Sequence, residues 1–489
     1  MIVSCDEMRA LEHAAFAAGT TAAELMADAA EQMAHAVRQF FPRPGTAIVF
    51  YGKGHNGGDA LAAAKHLVHA GWHIMLRPQE NDANRLSALT REHLFALGPT
   101  DKRAQMHAPI ILDGLLGIGG RGPLRDDLRV LTREINALRQ SHHAHVFSVD
   151  LPTGLNGDSG EADPDCVVAD FTLTIGFPKR GLLVDQAANF VGRIALLPLA
   201  KLEAAPVGGE DAATPISLAA LLPPRRFETH KTQQGRIGIV AGSPGFTGAA
   251  QLTAQGALRG GAGLVTLYAT PDVQPILAGA AGPEIMVKRV DSFLELLEAK
   301  RDVLAIGPGL GTARGEEVLE LIERCECPMI IDADALNILA QSKKMELLKR
   351  CAGPRLLTPH PGEMARLFDI GGRSRAETVR AFTDEFPVTL LFKGSRTLVG
   401  EKGKPLSHNT TGSPGMATGG MGDALTGVCA ALAGQGLSLF DSARLGSWLC
   451  GRAAELAIFH GPESEQSLAA MDVPEHLGLA FKQLFAGCL

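Results

Sequence analysis

The chain has 489 residues, which is too many for one ordinary hydrophobic core, so two or three domains are expected. Its composition, 46% hydrophobic and 20% charged, is typical of a folded globular protein and not of a disordered one. The net charge of -7, with only 2 Trp and 2 Tyr, argues against a nucleic-acid partner, because such partners need basic surface and stacking aromatics.

The first residues indicate a helix start and not an apolar leader. Residues 4–7 (SCDE) have the pattern of a capping box, and Met8, Leu11 and Phe16 follow at helical spacing. The sequence has no run of about 20 apolar residues, and its 8 cysteines are scattered, as in proteins of reducing compartments. We therefore expect a cytoplasmic protein with no membrane span.

From residue 46 to about residue 199, short apolar runs alternate with helical patterns. The apolar runs lie at 47–50, 110–112 and 146–149. This alternation predicts a three-layer, Rossmann-like α/β domain with a parallel sheet, in which ligand loops follow the carboxyl ends of the strands.

Three segments with glycines or acidic side chains follow these strands. Residues 52–59 (GKGHNGGD) precede a helix predicted from about residue 60 to 70, Asp113 precedes the glycine-rich 114–123, and Asp150 precedes 151–158. Glycine amides next to a helix N-terminus can bind an anion. A tight turn or a capping aspartate would explain each segment alone. Three such segments at one sheet edge favour a binding site.

These segments resemble the NAD(P)H-hydrate epimerase family, and the resemblance covers essentially the whole first half. It implies that Asp150 is the acid/base residue at the nicotinamide carbon that bears the hydroxyl. It also implies a potassium ion held by Asn56, Asp113 and Thr153, whose oxygens suit a hard cation. The residues implied to bind the hydrated dinucleotide, NADHX or NADPHX, are His55, Asn56, Gly57, Gly58, Asp59, Gly117, Ile118, Gly119, Gly120, Arg121, Gly122, Pro123 and Asp150.

Three positions depart from the family pattern: His55 replaces an Asn, Ala60 replaces a Gly and Thr153 replaces a Ser. Thr keeps the hydroxyl oxygen, so cation binding should survive, whereas His55 could make anion contacts sensitive to pH. The histidines at 142, 143 and 145 fit a metal site or, in our interpretation, a solvated helix end that leads into a strand.

Residues 201–214, rich in Ala, Pro and Gly, interrupt the alternation, and we place the domain boundary between residues 212 and 213. Apolar runs resume at 236–240, 303–306, 329–331 and 388–392, so a second three-layer α/β domain is expected over 213–489. Cys325 and Cys327 lead into one of these runs and fit the buried start of a strand better than a metal site.

The strongest motif in the chain is the segment 411–428 (TGSPGMATGGMGDALTGV). Its glycines end at a predicted helix start, with Asp423 in the first turn. The amides of Gly420, Met421 and Gly422 can converge on a phosphoryl group, and Asp423 can take the proton from an attacking hydroxyl. An Asp that only caps a helix is the simpler alternative. The arrangement resembles the ribokinase-like fold, which alone would imply an alcohol kinase.

Further segments narrow this resemblance to the ADP/ATP-dependent NAD(P)H-hydrate dehydratases. They lie at 230–235, 241–250, 307–311, 332–337, 358–363 and 393–397. The resemblance implies a catalytic base, Asp423, and substrate contacts by Ala249, Gly309, His360 and Asp423. It implies nucleotide binding by Lys393, Gly394, Ser395, Arg396, Thr397 and Gly422, with Lys393 and Arg396 neutralising phosphates.

Two points stay open in this half. Asp332, Asp334 and Asn337 could support magnesium through water, but helix capping explains them equally well. His360 could instead be a buried structural histidine.

The two resemblances together imply a bifunctional repair enzyme for hydrated NADH and NADPH. The first half would epimerise the R and S hydrates. The second would phosphorylate the S hydrate from ADP with magnesium and eliminate phosphate, giving NAD(P)H, AMP and phosphate. Fused bacterial members imply ADP as the donor, and the family suggests a homo-oligomer. The alternatives are an alcohol kinase with an accessory nucleotide-binding domain and a catalytically silent nucleotide-binding protein.

Overall fold

The computed structural model of the protein describes residues 1–98, 108–120, 122–202 and 209–488. The chain forms two compact units, Met1–Gly208 with Cys488–Leu489, and Gly209–Gly487. The division falls between 208 and 209, within the segment 201–214 where the joint is expected, and Glu210–Ala212 is a strand of the second unit's sheet. In the described ranges, no helix is long and apolar enough to cross a membrane.

The first unit is built on a six-stranded sheet with the order β2-β1-β3-β4-β5-β6, and every pair of neighbours is parallel, as predicted. Its strands are β1 (Thr46–Tyr51), β2 (His73–Pro78), β3 (Ile110–Gly114), β4 (His145–Val149), β5 (Phe171–Ile175) and β6 (Arg193–Leu197). Its helices are α1 (Cys5–Ala17), α2 (Ala22–Phe40), α3 (His55–His69), α4 (Ala88–Leu97), α5 (Asp126–Ser141) and α6 (Ala188–Val191). The capping box predicted at the start of α1 is present.

Helices cover both faces of this sheet, because successive strand residues point to opposite sides. On one face, Ile111 lies in a core with Ile135 of α5. On the other face, Phe147 stacks on Phe171, and the Phe171 ring centroid lies 4.4 Å from that of Phe40 in α2. The first unit is therefore a three-layer α/β domain.

The second unit is built on a ten-stranded sheet with the order β10-β9-β8-β11-β12-β13-β14-β15-β16-β7. Its strands are β7 (Glu210–Ala212), β8 (Arg236–Val240), β9 (Leu264–Ala269), β10 (Ile285–Arg289), β11 (Val303–Ile306), β12 (Met329–Ile331), β13 (Arg355–Leu357), β14 (Thr389–Phe392), β15 (Leu398–Gly400) and β16 (Leu406–His408). Only the β14–β15 and β15–β16 pairs of this sheet are antiparallel.

The helices of the second unit are α7 (Pro215–Ala219), α8 (Thr247–Arg259), α9 (Gln274–Ala280), α10 (Gly315–Arg324), α11 (Asp334–Ser342), α12 (Pro361–Leu367), α13 (Arg375–Glu385), α14 (Met421–Gly434), α15 (Leu439–Phe459) and α16 (Asp472–Phe485). Adjacent strand residues again enter different cores: Ile239 packs in one with Val428 of α14, and Val240 in the other with Val318 of α10. This unit also has three layers, and the apolar runs predicted as strands all form strands.

Candidate functional site

The three segments predicted for the first half meet at the carboxyl edge of the first sheet. The Gly52 amide donates to the Gly114 carbonyl oxygen at 3.1 Å, and the Leu116 amide donates to Thr153 Oγ1 at 3.1 Å. These bonds join the chain after β1, β3 and β4, which are neighbours in the sheet. The juxtaposition expected from parallel strands is therefore present.

The glycine-rich segment after β1 is not a loop before a helix that starts near Ala60, because α3 already begins at His55. The amides of Gly57 and Gly58 donate to the Gly54 carbonyl oxygen at 3.1 and 3.2 Å, so they belong to the first turn. A Cβ at Gly57 would lie 2.2 Å from a backbone oxygen. These two glycines therefore allow close packing, and the amides of the first helical residues remain for a ligand.

The three departures from the family pattern have different surroundings. His55 is exposed in the first turn of α3. Ala60 is buried, and a Cβ at Gly114 would lie 2.4 Å from the Ala60 methyl, so the extra methyl fills space beside a glycine. Thr153 is buried, and its hydroxyl donates to Asp113 at 2.6 Å. The oxygen expected at this position is thus kept.

Asp113, Thr153 and Asn56 place oxygen atoms around the turn after β3. The Asp113 carboxylate is fully buried and also accepts from the Thr153 amide at 2.9 Å and the Ser148 hydroxyl at 3.0 Å. Burial raises the pKa of Asp113 although these hydrogen bonds oppose the rise. Asn56 Oδ1 lies 2.8 Å from where a Cβ at Gly117 would be, and Asn56 Nδ2 is buried with no hydrogen-bond partner in the described chain. Carboxylate, hydroxyl and amide oxygens fit a hard cation.

The glycine-rich segment after β3 forms a tight turn. The Gly120 amide donates to the Gly117 carbonyl oxygen at 3.0 Å, and Gly122 has a left-handed φ of 77°. A Cβ added at Gly119 would have no atom within 4 Å beyond those of its chain neighbours, so this side of the turn is open. Arg121, predicted to contact the dinucleotide, lies outside the described residues.

Asp150 follows β4 with a φ of 67°, a left-handed backbone that is uncommon for a residue with a side chain. Its Oδ1 accepts a hydrogen bond from the Ile175 amide at 3.1 Å and another from the ammonium group of Lys179. The lysine is 1% exposed and was not among the predicted site residues. The available signal was a lysine directly after residues 176–178 (GFP), which follow β5.

Two more carboxyl groups are close enough to Asp150 for its charge to change their pKa values: Glu12 on α1 and Asp59 on α3. Burial raises the pKa of both, and the negative charge of Asp150 adds to the rise, which is large for Asp59. Glu12 was not predicted, because α1 carries no glycine-rich or catalytic motif. The first site is thus a cluster of three carboxyl groups with a buried lysine.

The predicted glycine-rich turn of the second half leads into α14, which begins at Met421. Gly420 is the N-cap with a φ of 91°, and no side chain caps the helix. Asp423 lies in the first turn, as predicted. The first amides of a helix have no intrahelical partner, so these amides are available to an anion.

Glycines bring α14 into close contact with α8. A Cβ at Gly420 would lie 2.5 Å from the Leu252 side chain, one at Gly256 would lie 2.3 Å from the Ala424 carbonyl oxygen, and one at Gly427 would lie 2.0 Å from a carbonyl oxygen of α8. The first two contacts follow the same order along both helices. The helices therefore run parallel, and their N-termini lie at the same edge of the unit.

The carboxyl group of Asp423 is half-buried among other charges. Burial raises its pKa to about 7, the negative charge of Asp332 adds to the rise, and the positive charge of Lys393 opposes it. Lys393 Nζ donates to Asp332 Oδ1 at 2.7 Å and lies 3.9 Å from Glu363 Oε2, while the Thr426 hydroxyl donates to Asp332 Oδ2 at 2.8 Å. A carboxyl group with this pKa can accept a proton near neutral pH.

The segment 393–397, predicted to bind the nucleotide, follows β14. Burial opposes a charge on Lys393, but Asp332 and Glu363 more than offset it, so the pKa of Lys393 is raised and the ammonium persists. Its Nζ lies 3.1 Å from where a Cβ at Gly422 would be, which brings two predicted nucleotide positions together. Arg396 is 4% exposed. Gly394 and Ser395 are exposed, and Thr397 is buried.

Two predicted substrate positions, Ala249 and Gly309, lie in contact, since a Cβ at Gly309 would be 2.8 Å from the Ala249 Cβ. His360 is the N-cap of α12, and its Nδ1 accepts from the Gly362 amide at 3.0 Å. Its side chain is 52% exposed, so the alternative of a buried structural histidine is wrong. His360 Nε2 lies 3.6 Å from Glu363 Oε1. Glu363, which was not predicted as a site residue, thus lies between the histidine and the charge cluster.

Asp334 and Asn337, considered for magnesium, bind the protein itself. Asp334 Oδ2 accepts from the Gly311 amide at 2.8 Å, and Asp334 Oδ1 accepts from Asn337 Nδ2 at 3.3 Å. Asn337 Oδ1 accepts from the Arg366 guanidinium at 2.9 Å. Both residues hold the start of α11 against neighbouring loops, whereas Asp332 faces the charge cluster.

Two other groups of residues were considered as metal sites: the histidines at 142, 143 and 145, and Cys325 with Cys327. Helix α5 ends at Ser141 and β4 begins at His145, as interpreted from the sequence. Cys325 and Cys327 are free thiols with their Sγ atoms 3.3 Å apart, and Cys325 is buried. Across the part of the chain that the structure describes, no group of three or more His, Cys, Asp or Glu residues could hold a metal ion.

Comparisons with known proteins match both units. The family described as YjeF-related protein N-terminus matches residues 22–181, and the NAD(P)H-hydrate dehydratase family matches residues 237–469. The bifunctional NAD(P)H-hydrate repair enzyme of Moorella thermoacetica is 36% identical over 472 residues, covering 89% of this chain and 87% of that protein. The enzyme of the same name from Escherichia coli is 35% identical over 468 residues, covering 92% and 88%. The chain belongs to the family of bifunctional NAD(P)H-hydrate repair enzymes.

Membership in the repair-enzyme family confirms the resemblance inferred from the sequence motifs and favours it over the alcohol-kinase alternative. A ribokinase-like superfamily protein from Enterococcus faecalis has 23% identity and a TM-score of 0.50, covering 58% of this chain and 99% of that one, which shows the ribokinase-like fold. The ADP/ATP-dependent NAD(P)H-hydrate dehydratase of Bacillus subtilis, co-crystallised with ATP and Mg²⁺, is 29% identical with a TM-score of 0.48, covering 55% of this chain and 97% of that one.

Proposed function

We propose that the first unit interconverts the R and S hydrates of NADH and NADPH, and that the second unit dehydrates the S hydrate at the expense of ADP. One observation carries the proposal. Asp423, with a pKa near neutrality, stands in the first turn of a helix whose initial amides have no side-chain cap. A base and donors for a phosphoryl group therefore come from the same turn.

Dehydration in the second unit would begin when Asp423 takes the proton of the ring hydroxyl. The hydroxyl oxygen attacks the β-phosphorus of ADP, an O–P bond forms, the bond to the bridging oxygen breaks, and AMP leaves. Phosphate is a better leaving group than hydroxide, so the electron pair of the ring nitrogen expels it. Loss of a proton from the neighbouring carbon restores the dihydronicotinamide.

The other groups of this site would stabilise the charge on the transferring phosphoryl group. The amides of Gly420, Met421 and Gly422 would donate to its oxygens, and the ammonium of Lys393 lies beside Gly422. Magnesium, when bound with the nucleotide, would neutralise phosphate charge. Asp332, whose oxygens already accept from Lys393 and Thr426, would support it through water. Preference for ADP over ATP rests on the family's fused bacterial members.

Epimerisation in the first unit would use Asp150. Water leaves one face of the hydrated ring and returns to the other, and a carboxyl group exchanges the protons that these steps require. Potassium would be held by Asn56, Asp113 and Thr153, whose oxygens fit it, and would supply positive charge near the anionic dinucleotide.

The test supplies each epimer separately, with ADP and Mg²⁺, to the wild-type chain and to the variants Asp150→Ala and Asp423→Ala. Recovery of reduced-nicotinamide absorbance is followed. The Asp150 variant should repair the S hydrate at the wild-type rate and the R hydrate only as fast as it epimerises unaided. The Asp423 variant should repair neither, with a loss of about 10²–10⁴ in rate, as for removal of a general base.

Three results would contradict these assignments. Equal repair of both epimers by Asp150→Ala removes the epimerase role of Asp150. Consumption of ADP with a stable phosphorylated product and no absorbance recovery supports an alcohol kinase instead. Recovery with ATP but not with ADP changes the phosphate donor and leaves the rest of the proposal in place.

A further inference from the structure

The buried Lys179 is held beside Asp150 by two parts of the chain that are distant in sequence. It follows residues 176–178, which come directly after β5, and residues near the N-terminus pair with it there. The Val3 amide donates to the Pro178 carbonyl oxygen at 3.0 Å, and the Arg180 amide donates to the Val3 carbonyl oxygen at 2.9 Å. The backbone on both sides of the lysine is therefore fixed.

The Lys179 ammonium has three N–H donors, and the protein supplies an acceptor oxygen for each of them. It donates to Asp150 Oδ1, to the Ile175 carbonyl oxygen at 2.8 Å and, more weakly, to Thr174 Oγ1 at 3.4 Å. With every donor used and 1% of the side chain exposed, the ammonium has one orientation. A buried lysine with no partner would be costly, and the contact with Asp150 supplies an acidic partner.

The contact with Lys179 makes the two carboxylate oxygens of Asp150 different. Oδ1 receives both the lysine and the Ile175 amide. Within the described residues, Oδ2 receives no hydrogen bond, so it is the oxygen left for substrate. The left-handed backbone of Asp150 is strained for a residue with a side chain and needs support from its surroundings, which the Lys179 and Ile175 contacts supply.

The other titratable groups that face Asp150 are Glu12 and Cys5 on α1 and Asp59 on α3. Burial raises the pKa of the Cys5 thiol to about 11, and burial together with Asp150 raises the pKa values of Glu12 and Asp59. For each of these groups the charge of Lys179 acts in the opposite direction. The lysine is thus a positive charge placed among the acidic groups that surround Asp150.

We propose that Lys179 is a positioning residue for epimerisation: it sets its positive charge against Oδ1 of Asp150 and leaves Oδ2 turned toward the hydrated ring. This inference rests on the proposed function of the first unit. When water returns to the ring, it gives one proton to Asp150 Oδ2 as its oxygen bonds to carbon. When water leaves, the protonated Asp150 gives that proton to the departing oxygen as the carbon–oxygen bond breaks, so the carboxyl group ends in its starting state.

The test uses the full chain without nucleotide, so that dehydration does not remove either epimer. Equilibration of the pure R hydrate is followed by chromatography over a range of pH for wild type, Lys179→Met and Lys179→Arg. For Lys179→Met we expect kcat to fall by about 10²-fold, as for a displaced catalytic group. KM should change little, and the acid limb of the rate profile should move to higher pH, because the carboxylate has lost its cation.

Lys201→Met is the matched control, since Lys201 is a half-exposed lysine of the same unit paired with Glu24 at 2.8 Å. It should behave as wild type. A folded Lys179→Met chain with wild-type kcat, or with an acid limb that has not moved, overturns the positioning role.

Lys179→Arg decides the question if Lys179→Met does not fold, because it keeps the charge but places it differently. Its kcat should fall by about tenfold with KM and the acid limb unchanged; unaltered kcat, or a loss through KM alone, overturns the proposal. A wild-type chain that does not accelerate equilibration is a separate outcome, which removes the epimerase assignment itself and this inference with it.

Discussion

At the scale of single residues, Asp423 takes its chemical role from side chains that are distant in sequence. Asp332 follows β12, Glu363 lies in α12 and Lys393 follows β14, and the fold brings all three charges toward one carboxyl group. Burial and the charge of Asp332 raise the pKa of Asp423 to about 7. Its affinity for a proton is therefore a property of the tertiary structure.

The dehydratase rate should depend on the protonation of Asp423. A base must be ionised to act, and the raised pKa means that ionisation is complete only above about pH 7. The rate with the S hydrate and ADP should therefore rise through neutral pH and fall by about tenfold per unit below it. A profile of kcat/KM against pH measures this, and a rate that is flat from mildly acidic to mildly basic pH would contradict it.

The variant Asp332→Asn is the companion measurement. It removes the negative charge that, after burial, contributes most to the raised pKa of Asp423. The acid limb of the profile should then move to lower pH, while the Lys393 charge remains to favour the carboxylate. A shift to higher pH would mean that another group controls the limb.

The sequence was sufficient to single out Asp150 and Asp423, because each lies beside a strand end or helix start with a recognisable motif. It was not sufficient for Lys179 or Glu363. The burial of Lys179 depends on pairing with Val3, which is close to it in the fold but lies near the N-terminus, far away in the sequence. Such neighbours are set by tertiary contacts that no local pattern records.

At the scale of elements, some glycines in this chain mark close packing and not turns. The segment 52–59 after β1 was predicted to precede a helix that starts near Ala60, yet its residues from His55 onward already form the first turn of α3. A Cβ at Gly57 or Gly58 would come within 3 Å of other atoms. The sequence pattern showed the glycines but not which surface required them.

Gly427→Ala tests whether the contact of α8 with α14 supports the catalytic turn. Its Cβ would lie 2.0 Å from a carbonyl oxygen of α8, so the helices must separate. We expect a loss of about 1–3 kcal/mol in the free energy of unfolding, as for an overpacked core. The dehydratase kcat should also fall, because Asp423 and the first amides of α14 move with the helix. Chemical denaturation and the absorbance assay measure the two effects.

Gly478→Ala in α16 is the matched control, because no atom lies within 4 Å of the added Cβ. A glycine-to-alanine change at an open helical position stabilises by about 0.4–1 kcal/mol. This variant should keep the wild-type kcat. If both variants lose activity equally, the effect belongs to glycine replacement in general and not to the helix contact.

At the scale of the whole molecule, the alternation of apolar runs with helical patterns was enough to predict two three-layer α/β units. The chain divides after 208, which lies within the segment 201–214 where the sequence places the joint and four residues before the predicted boundary after 212. Strand β7 has only three residues, two of them acidic, and acidic residues are depleted in strands. A homo-oligomer and a cytoplasmic location stay predictions.

The short strand β7 decides where the chain can be cut to obtain the second half alone. Its Glu210 accepts from His408 at 3.1 Å and pairs with Arg380, and its Asp211 pairs with Arg444 at 2.6 Å. A fragment that starts at residue 213 would lose these carboxylates and expose the edge of β16, which invites self-association. A fragment that starts at residue 209 should stay monodisperse in size-exclusion chromatography and unfold at a higher temperature.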